Sequence, residues 1–149
     1  MAEKTEGDIE IEATPEEIME VLTDYEAYPR WAQGIKKTAV RKKDSRGRGK
    51  EVYMEASSMG VGARYTLTYT YRAGNGGMSW TSKEASGAVK EIDGEYALEP
   101  VDDQKTRVTY RTTMELAIKV PGIMKRQAER QIIGTALQGL KKRVESGSR

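Results

Sequence analysis

Residues 121–145, PGIMKRQAERQIIGTALQGLKKRVE, decide how the rest of the chain must be arranged. Pro121 suits a first helical position, where its missing N–H costs no hydrogen bond. At about 100° per residue, Ala128, Ile132, Ile133, Ala136, Leu137, Leu140 and Val144 share one arc spanning about half the circumference. Gln127, Gln131, Thr135, Gln138 and Lys142 take the other side. The pattern predicts a surface helix over 121–144 with one buried face. One edge of that face is small (Ala128 and Ala136, with Gly139 beside them), which leaves room rather than filling it. Glu129 projects near the middle of the same arc. Such a helix needs something broad and apolar to lie on.

The preceding residues supply strands. From residue 35 to 116 the polar/apolar period is two nearly throughout, predicting six strands at 35–43, 50–58, 63–72, 78–85, 88–99 and 106–116. The links carry turn residues: Asp44 to Gly49, Gly60-Val61-Gly62, Gly74-Asn75-Gly76-Gly77 and Asp102-Asp103-Gln104. Links this short imply an antiparallel meander. In residues 64–72, Tyr65, Leu67, Tyr69 and Tyr71 alternate with Arg64, Thr66, Thr68, Thr70 and Arg72. In residues 107–116, Val108, Tyr110, Thr112, Met114 and Leu116 alternate with Arg107, Thr109, Arg111, Thr113 and Glu115. One sheet face is therefore aromatic and apolar, the other threonine-rich and charged. Gly94 interrupts its strand and suggests a bulge or bend.

At the front, Ile9 and Ile11 alternate with acids over residues 7–13, a half-buried strand. Thr14-Pro15-Glu16-Glu17 then opens a helix: Thr14 caps it, Pro15 is its first residue and Glu17 completes a capping box. A second short helix is expected from Asp24 through Tyr28, with Pro29 limiting its length and Trp31 at its exit. Residues 146–149 read as a frayed tail behind a single domain over 1–145.

Composition excludes several chemistries. The 149 residues contain no His and no Cys. Ser-His and Cys-His nucleophilic triads are thereby ruled out, the usual zinc ligands are missing, and no metal or cofactor is expected. Without a disulfide framework, a signal-peptide core or an apolar run long enough to span a bilayer, the expected location is the cytoplasm. Phe is 0 while Tyr is 8 and Trp 2, so nearly every aromatic surface carries a donor that needs a partner when buried. The net charge of +2 argues no partner by itself.

The order strand, two short helices, six strands, long helix resembles the START-like superfamily, in particular its polyketide cyclase/dehydrase branch. The resemblance is carried by ATPEEIMEVLTDYEAYPRWAQGIKKTAV (residues 13–40), by the Trp80 strand after the 74–77 turn, by GEYALEP (94–100) and by the 121–145 helix. It implies an α+β helix-grip fold: a seven-stranded antiparallel sheet curled around the C-terminal helix, enclosing a hydrophobic cavity. Members of that superfamily include aromatase/cyclases and lipid carriers, and the fold alone does not choose among them.

The candidate ligand-binding residues are Met54, Tyr65, Leu67, Tyr69, Tyr71, Trp80, Tyr96, Tyr110 and Met114 on the sheet, with Ala128, Glu129, Ile132 and Ala136 on the helix. Two readings stand for the aromatic face. It is either a pocket whose phenols orient the oxygens of an apolar ligand, or a core with Tyr in place of Phe. Six polar-tipped aromatics favour the pocket, because a dry core rarely offers six partners. Glu129 is either a general base or ligand anchor, or one half of an ion pair with Lys125 or Arg126, and the pair is the simpler account.

The basic run Lys36, Lys37, Arg41, Lys42, Lys43, Arg46, Arg48, Lys50, broken by Asp44, is a possible dock for an acidic protein such as an acyl-carrier protein. It lacks the interleaved aromatics of a single-strand binder, which argues against nucleic acid. A solvated hairpin edge accounts for it more simply. The functional expectation is a carrier or binding module for a lipid-like or polyketide-like molecule. The alternatives are a polyketide cyclase using Tyr and Glu as acid and base, with no catalytic residue singled out, and an adaptor acting through the basic hairpin.

Overall fold

The computed structural model describes residues 5–58 and 61–147. The predicted tail residues Ser148 and Arg149, and Gly60 of the predicted turn, lie outside them. Element order is β1 (Thr5–Ile11), α1 (Pro15–Thr23), a 3₁₀ turn (Tyr25–Ala27), α2 (Tyr28–Trp31), β2 (Ile35–Lys43), β3 (Gly49–Ser58), β4 (Val61–Tyr71), a 3₁₀ turn (Ala73–Asn75), β5 (Gly77–Gly87), β6 (Val89–Asp102), β7 (Lys105–Leu116) and α3 (Gly122–Glu145).

The strands form one antiparallel sheet in the order β1-β7-β6-β5-β4-β3-β2. Six strands follow the expected meander. β1 closes the other edge by pairing with β7, Thr5 opposite Thr112 and Ile11 opposite Thr106. The sheet bends through bulges in β2, in β5 between Lys83 and Ser86 opposite residues 64–66 of β4, and near both ends of β6. None falls at Gly94, contrary to expectation. Gly94 stays in register between Trp80 and Thr112. Its missing side chain makes room instead: a Cβ there would come within 2.6 Å of the Trp80 ring.

One helix start matches the reading of the sequence, and the prolines at the other two are placed differently from it. At α1 the capping box forms as expected: Glu17 N–H donates to Thr14 Oγ1 at 3.2 Å and Thr14 N–H to Glu17 Oε1 at 3.0 Å. At α3, Pro121 lies before the helix, in an extended conformation (ψ 143°), rather than as its first turn. The short helix expected from Asp24 through Tyr28 forms as the 3₁₀ turn Tyr25–Ala27, capped at Tyr28. Pro29 then sits in the first turn of α2, which its fixed φ suits, and carries Trp31 within that helix.

Helix α3 lies across β1 and β7. Its buried positions are Glu129, Ile133, Leu137, Leu140 and Val144, and Ala128, Ile132 and Ala136 form a half-buried flank. The approach is close: a Cβ at Gly7 of β1 would stand 2.8 Å from Ile133 Cγ2. α1 covers the remaining apolar gap with Ile18, Met19, Val21 and Leu22. The outer face of the sheet is a charge ladder, in which Glu95 bridges Arg72 (2.5 Å) and Arg111 (3.1 Å). No helix among the described residues is long and apolar enough to cross a membrane.

Candidate ligand-binding site

The alternation that made one face aromatic places Met54, Tyr65, Leu67, Tyr69, Trp80, Tyr96, Tyr110 and Met114 inside, all buried, with Tyr71 half-buried at the end of β4. The rings form a continuous chain. Tyr69 lies 5.8 Å from Trp80, which meets Tyr96 at 5.5 Å and Tyr110 edge-on at 5.7 Å. Tyr96 and Tyr110 are 4.7 Å apart.

Three aromatics join this chain that the sequence reading left out of the site. Tyr25 packs on Tyr69 at 4.7 Å and on Tyr28 at 5.3 Å, and Tyr28 meets Trp31 edge-on at 5.1 Å. The signal was present as spacing: 25, 28 and 31 are three apart, which in a tight helical turn puts them on one side.

The phenols divide into two groups by how their hydroxyls are satisfied. Tyr28 donates to the Leu22 carbonyl at 2.5 Å. Tyr71 donates to the Gly49 carbonyl at 2.5 Å and shares a 2.6 Å contact with the Tyr25 hydroxyl. These belong to the fold. Tyr65, Tyr69 and Tyr96 differ: among the described residues no hydrogen-bond partner reaches their hydroxyls. They are not sealed either, since the one enclosed, unpartnered side-chain polar atom among the described residues is Trp31 Nε1. Each hydroxyl thus keeps a small accessible surface, in residues that are only 6–7% exposed.

These tips sit close enough to act on one another. Burial, reinforced by the hydroxyls of Tyr28, Tyr65, Tyr71 and Tyr96, pushes the Tyr69 phenol well above its ordinary value. Burial, with Tyr110 and Tyr28, does the same to Tyr96. Burial alone pushes Tyr65 up to about 12. All three are neutral at physiological pH, so they offer protons to hydrogen bonds and are not bases.

Glu129 is the one buried carboxylate on the helix face, and it is tied to the sheet. Thr5 Oγ1 donates to Oε1 at 2.9 Å and the Met114 N–H to Oε2 at 3.2 Å. These cross-bonds stand where a pairing along the helix with Lys125 or Arg126 was expected. The last described residue of β1 on this side is Thr5, opposite Thr112, so the carboxylate meets the β7 amide beyond that pairing. Ala128, Ile132 and Ala136 flank it, half-buried.

Two surface clefts are present, and neither is lined by Tyr65, Tyr69 or Tyr96. One, of about 240 Å³, is lined by Glu20, Val21, Asp24, Ala27, Trp31 and Arg143. The other, about 180 Å³, opens at Ser79, Gly94, Glu95, Arg111, Thr112 and Thr113. The basic run extends from β2, at the sheet's edge, through the 44–48 turn to Lys50 of β3, and three of its eight cations have partners among the described residues. Arg48 pairs with Asp44 at 3.0 Å and stacks over Tyr71, Lys42 pairs with Glu51 at 3.4 Å, and Arg41 stacks over Tyr53.

With this geometry in view, the comparisons are consistent with one another. The chain belongs to the polyketide cyclase/dehydrase and lipid transport family, whose model matches residues 2–145. Its fold is that of a START superfamily protein from Mycobacterium smegmatis (TM-score 0.89, 20% identity, covering 96% of this chain and 97% of that one). It is also similar to the Zhui aromatase/cyclase from Streptomyces sp. R1128 (TM-score 0.82, 14% identity, 100% and 97% covered). A STAR-related lipid transfer protein from Xanthomonas axonopodis aligns at TM-score 0.71 and 18% identity over 95% and 85% of the two chains. Among curated proteins, none matches the sequence significantly.

Proposed function

We propose that this protein binds a hydrophobic small molecule between the aromatic sheet face and the small-residue flank of α3, as a cytoplasmic carrier or binding module. The observation that carries the proposal is the set of unpartnered, unsealed phenols at Tyr65, Tyr69 and Tyr96. Three unpartnered hydroxyls held inside an apolar wall suit a ligand that is apolar over most of its surface and carries a few oxygens. The family description, polyketide cyclase/dehydrase and lipid transport, supports the same ligand class.

A second reading, polyketide cyclisation in the same space, has the family description in its favour and the acid–base inventory against it. Cyclisation needs a proton acceptor within reach of the substrate. The phenols are protonated, and Glu129 already accepts two hydrogen bonds. An acidic carrier protein docking on residues 36–50 belongs to this reading and would have to compete with the ion pairs there.

Native mass spectrometry of the purified protein, followed by extraction, tests the binding reading. The expected result is a retained apolar species, or saturable uptake of an environment-sensitive apolar dye that Tyr69→Phe and Tyr96→Phe weaken. A protein that is empty and also ignores the dye would overturn it. Turnover of a polyketide chain, with product distribution altered by the same Tyr→Phe changes, would favour the cyclase.

A further inference from the structure

We propose that residues 118–125, together with Arg130, dock this protein on an anionic lipid surface. Most large apolar side chains of the described residues are buried or half-buried, but Ile118, Ile123 and Met124 are 58, 75 and 56% exposed and fall within one short stretch. Lys119 and Lys125 alternate with them, and Arg130 follows on the exposed side of α3. The acid in that part of the helix, Glu129, is turned inward and bonded to Thr5 and Met114. Glu115, at the end of β7, has Lys90 at 3.8 Å. The outward face of this tip is thus apolar and cationic together.

Its position follows from the register. Leu116 pairs with Val89, Gly87 with Ala63, and Thr5 with Thr112, so the end of β7, the starts of β1, β4 and β6 and the start of α3 share one end of the sheet. Tyr65 lies near that end and Tyr71 near the other. The same end is where α3 is least covered: within its first ten residues Glu129 is the buried one.

The chemistry selects a bilayer over an acidic protein. Protruding aliphatic and thioether side chains enter the acyl boundary of a membrane, while ammonium and guanidinium groups meet phosphate. An acidic protein would pair with the cations and leave Ile123 and Met124 in water. The proposal stands on this surface alone and does not require the ligand reading to hold.

Co-sedimentation of the full chain with vesicles tests it. Wild type is expected to pellet with phosphatidylcholine–phosphatidylglycerol vesicles and to remain in solution with phosphatidylcholine alone. Lys119→Gln with Lys125→Gln should weaken binding on the order of 25-fold, about fivefold for each cation. Ile123→Ser with Met124→Ser should release the protein from the vesicles, while its melting temperature and dye uptake match wild type. Wild type staying in solution with the anionic vesicles would overturn the proposal, as would equal binding to both vesicle types. Retention by polyglutamate that the lysine changes abolish and the serine changes spare would overturn it in favour of an acidic protein.

Discussion

The Thr5 hydroxyl donates to Glu129 Oε1 at 2.9 Å, joining the first described residue of β1 to α3 across 124 positions of sequence. With the Met114 N–H on the other oxygen at 3.2 Å, the carboxylate fastens the helix to both strands it covers. Removing a buried acceptor leaves its donors unmet, at a cost of about 1–3 kcal/mol. Glu129→Ala should therefore lower the urea midpoint by that equivalent, and Glu129→Gln, which keeps one carbonyl oxygen, by less. An unchanged midpoint for the alanine variant would show that the carboxylate does not hold the helix.

Gly94 is sterically committed. An added Cβ would lie 2.6 Å from Trp80 Cζ2 and 2.7 Å from the Arg111 carbonyl oxygen, and the latter is backbone that cannot swing aside. Overpacking of this kind costs about 1–3 kcal/mol. Gly94→Ala should lower the melting temperature and shift the tryptophan emission, because the Trp80 ring is what must move. A variant with wild-type stability and spectrum would refute the close contact.

The Tyr71 hydroxyl has one proton, which goes to the Gly49 carbonyl at 2.5 Å, so it accepts from Tyr25 at 2.6 Å. Tyr71→Phe breaks both links, and Tyr25→Phe breaks one and also removes the weaker approach to Met78 Sδ at 3.5 Å. At about 1 kcal/mol for each neutral bond, Tyr71→Phe should be the more destabilising. A double-mutant cycle in urea checks the order and should return a coupling between the two positions.

Alkaline pH should act through the interior phenols. Burial raises Tyr65 from 10.0 to about 12, so between those values the folded state holds a proton that the unfolded chain releases. Stability is then fully present below pH 10 and falls as pH rises from 10 towards 12. Tyr69 and Tyr96 are raised in the same direction. Tyrosinate absorption should therefore lag for these residues and appear together with loss of near-ultraviolet circular dichroism. Smooth titration of all tyrosines with the fold intact would contradict their burial.

Much of the architecture was legible because its determinants are local. Alternation at period two located every strand from residue 35 onward, and Thr14 and Glu17 marked the start of α1 to the residue. The inward aromatics followed from the same alternation, since a pleated strand leaves its side chains no other choice. Where a local rule had two outcomes, the sequence reading chose wrongly. Pro121 precedes α3, and Gly94 provides clearance instead of a bulge.

By itself, then, the sequence determined the α+β class, the strand and helix order, the aromatic inner face and the exclusion of His- and Cys-based chemistry. Tertiary structure alone decided which residues meet. β1 pairs with β7 about a hundred positions away because the meander leaves β7 as a free edge, and no local pattern encodes that closure of the edge. The same closure delivers Thr5 and Met114 to Glu129. It also separates the phenols bonded within the fold, Tyr25, Tyr28 and Tyr71, from Tyr65, Tyr69 and Tyr96, whose hydroxyls find no partner among the described residues. Identical side chains at identical periodicity differ in role because a hydrogen-bond partner is a property of position in space.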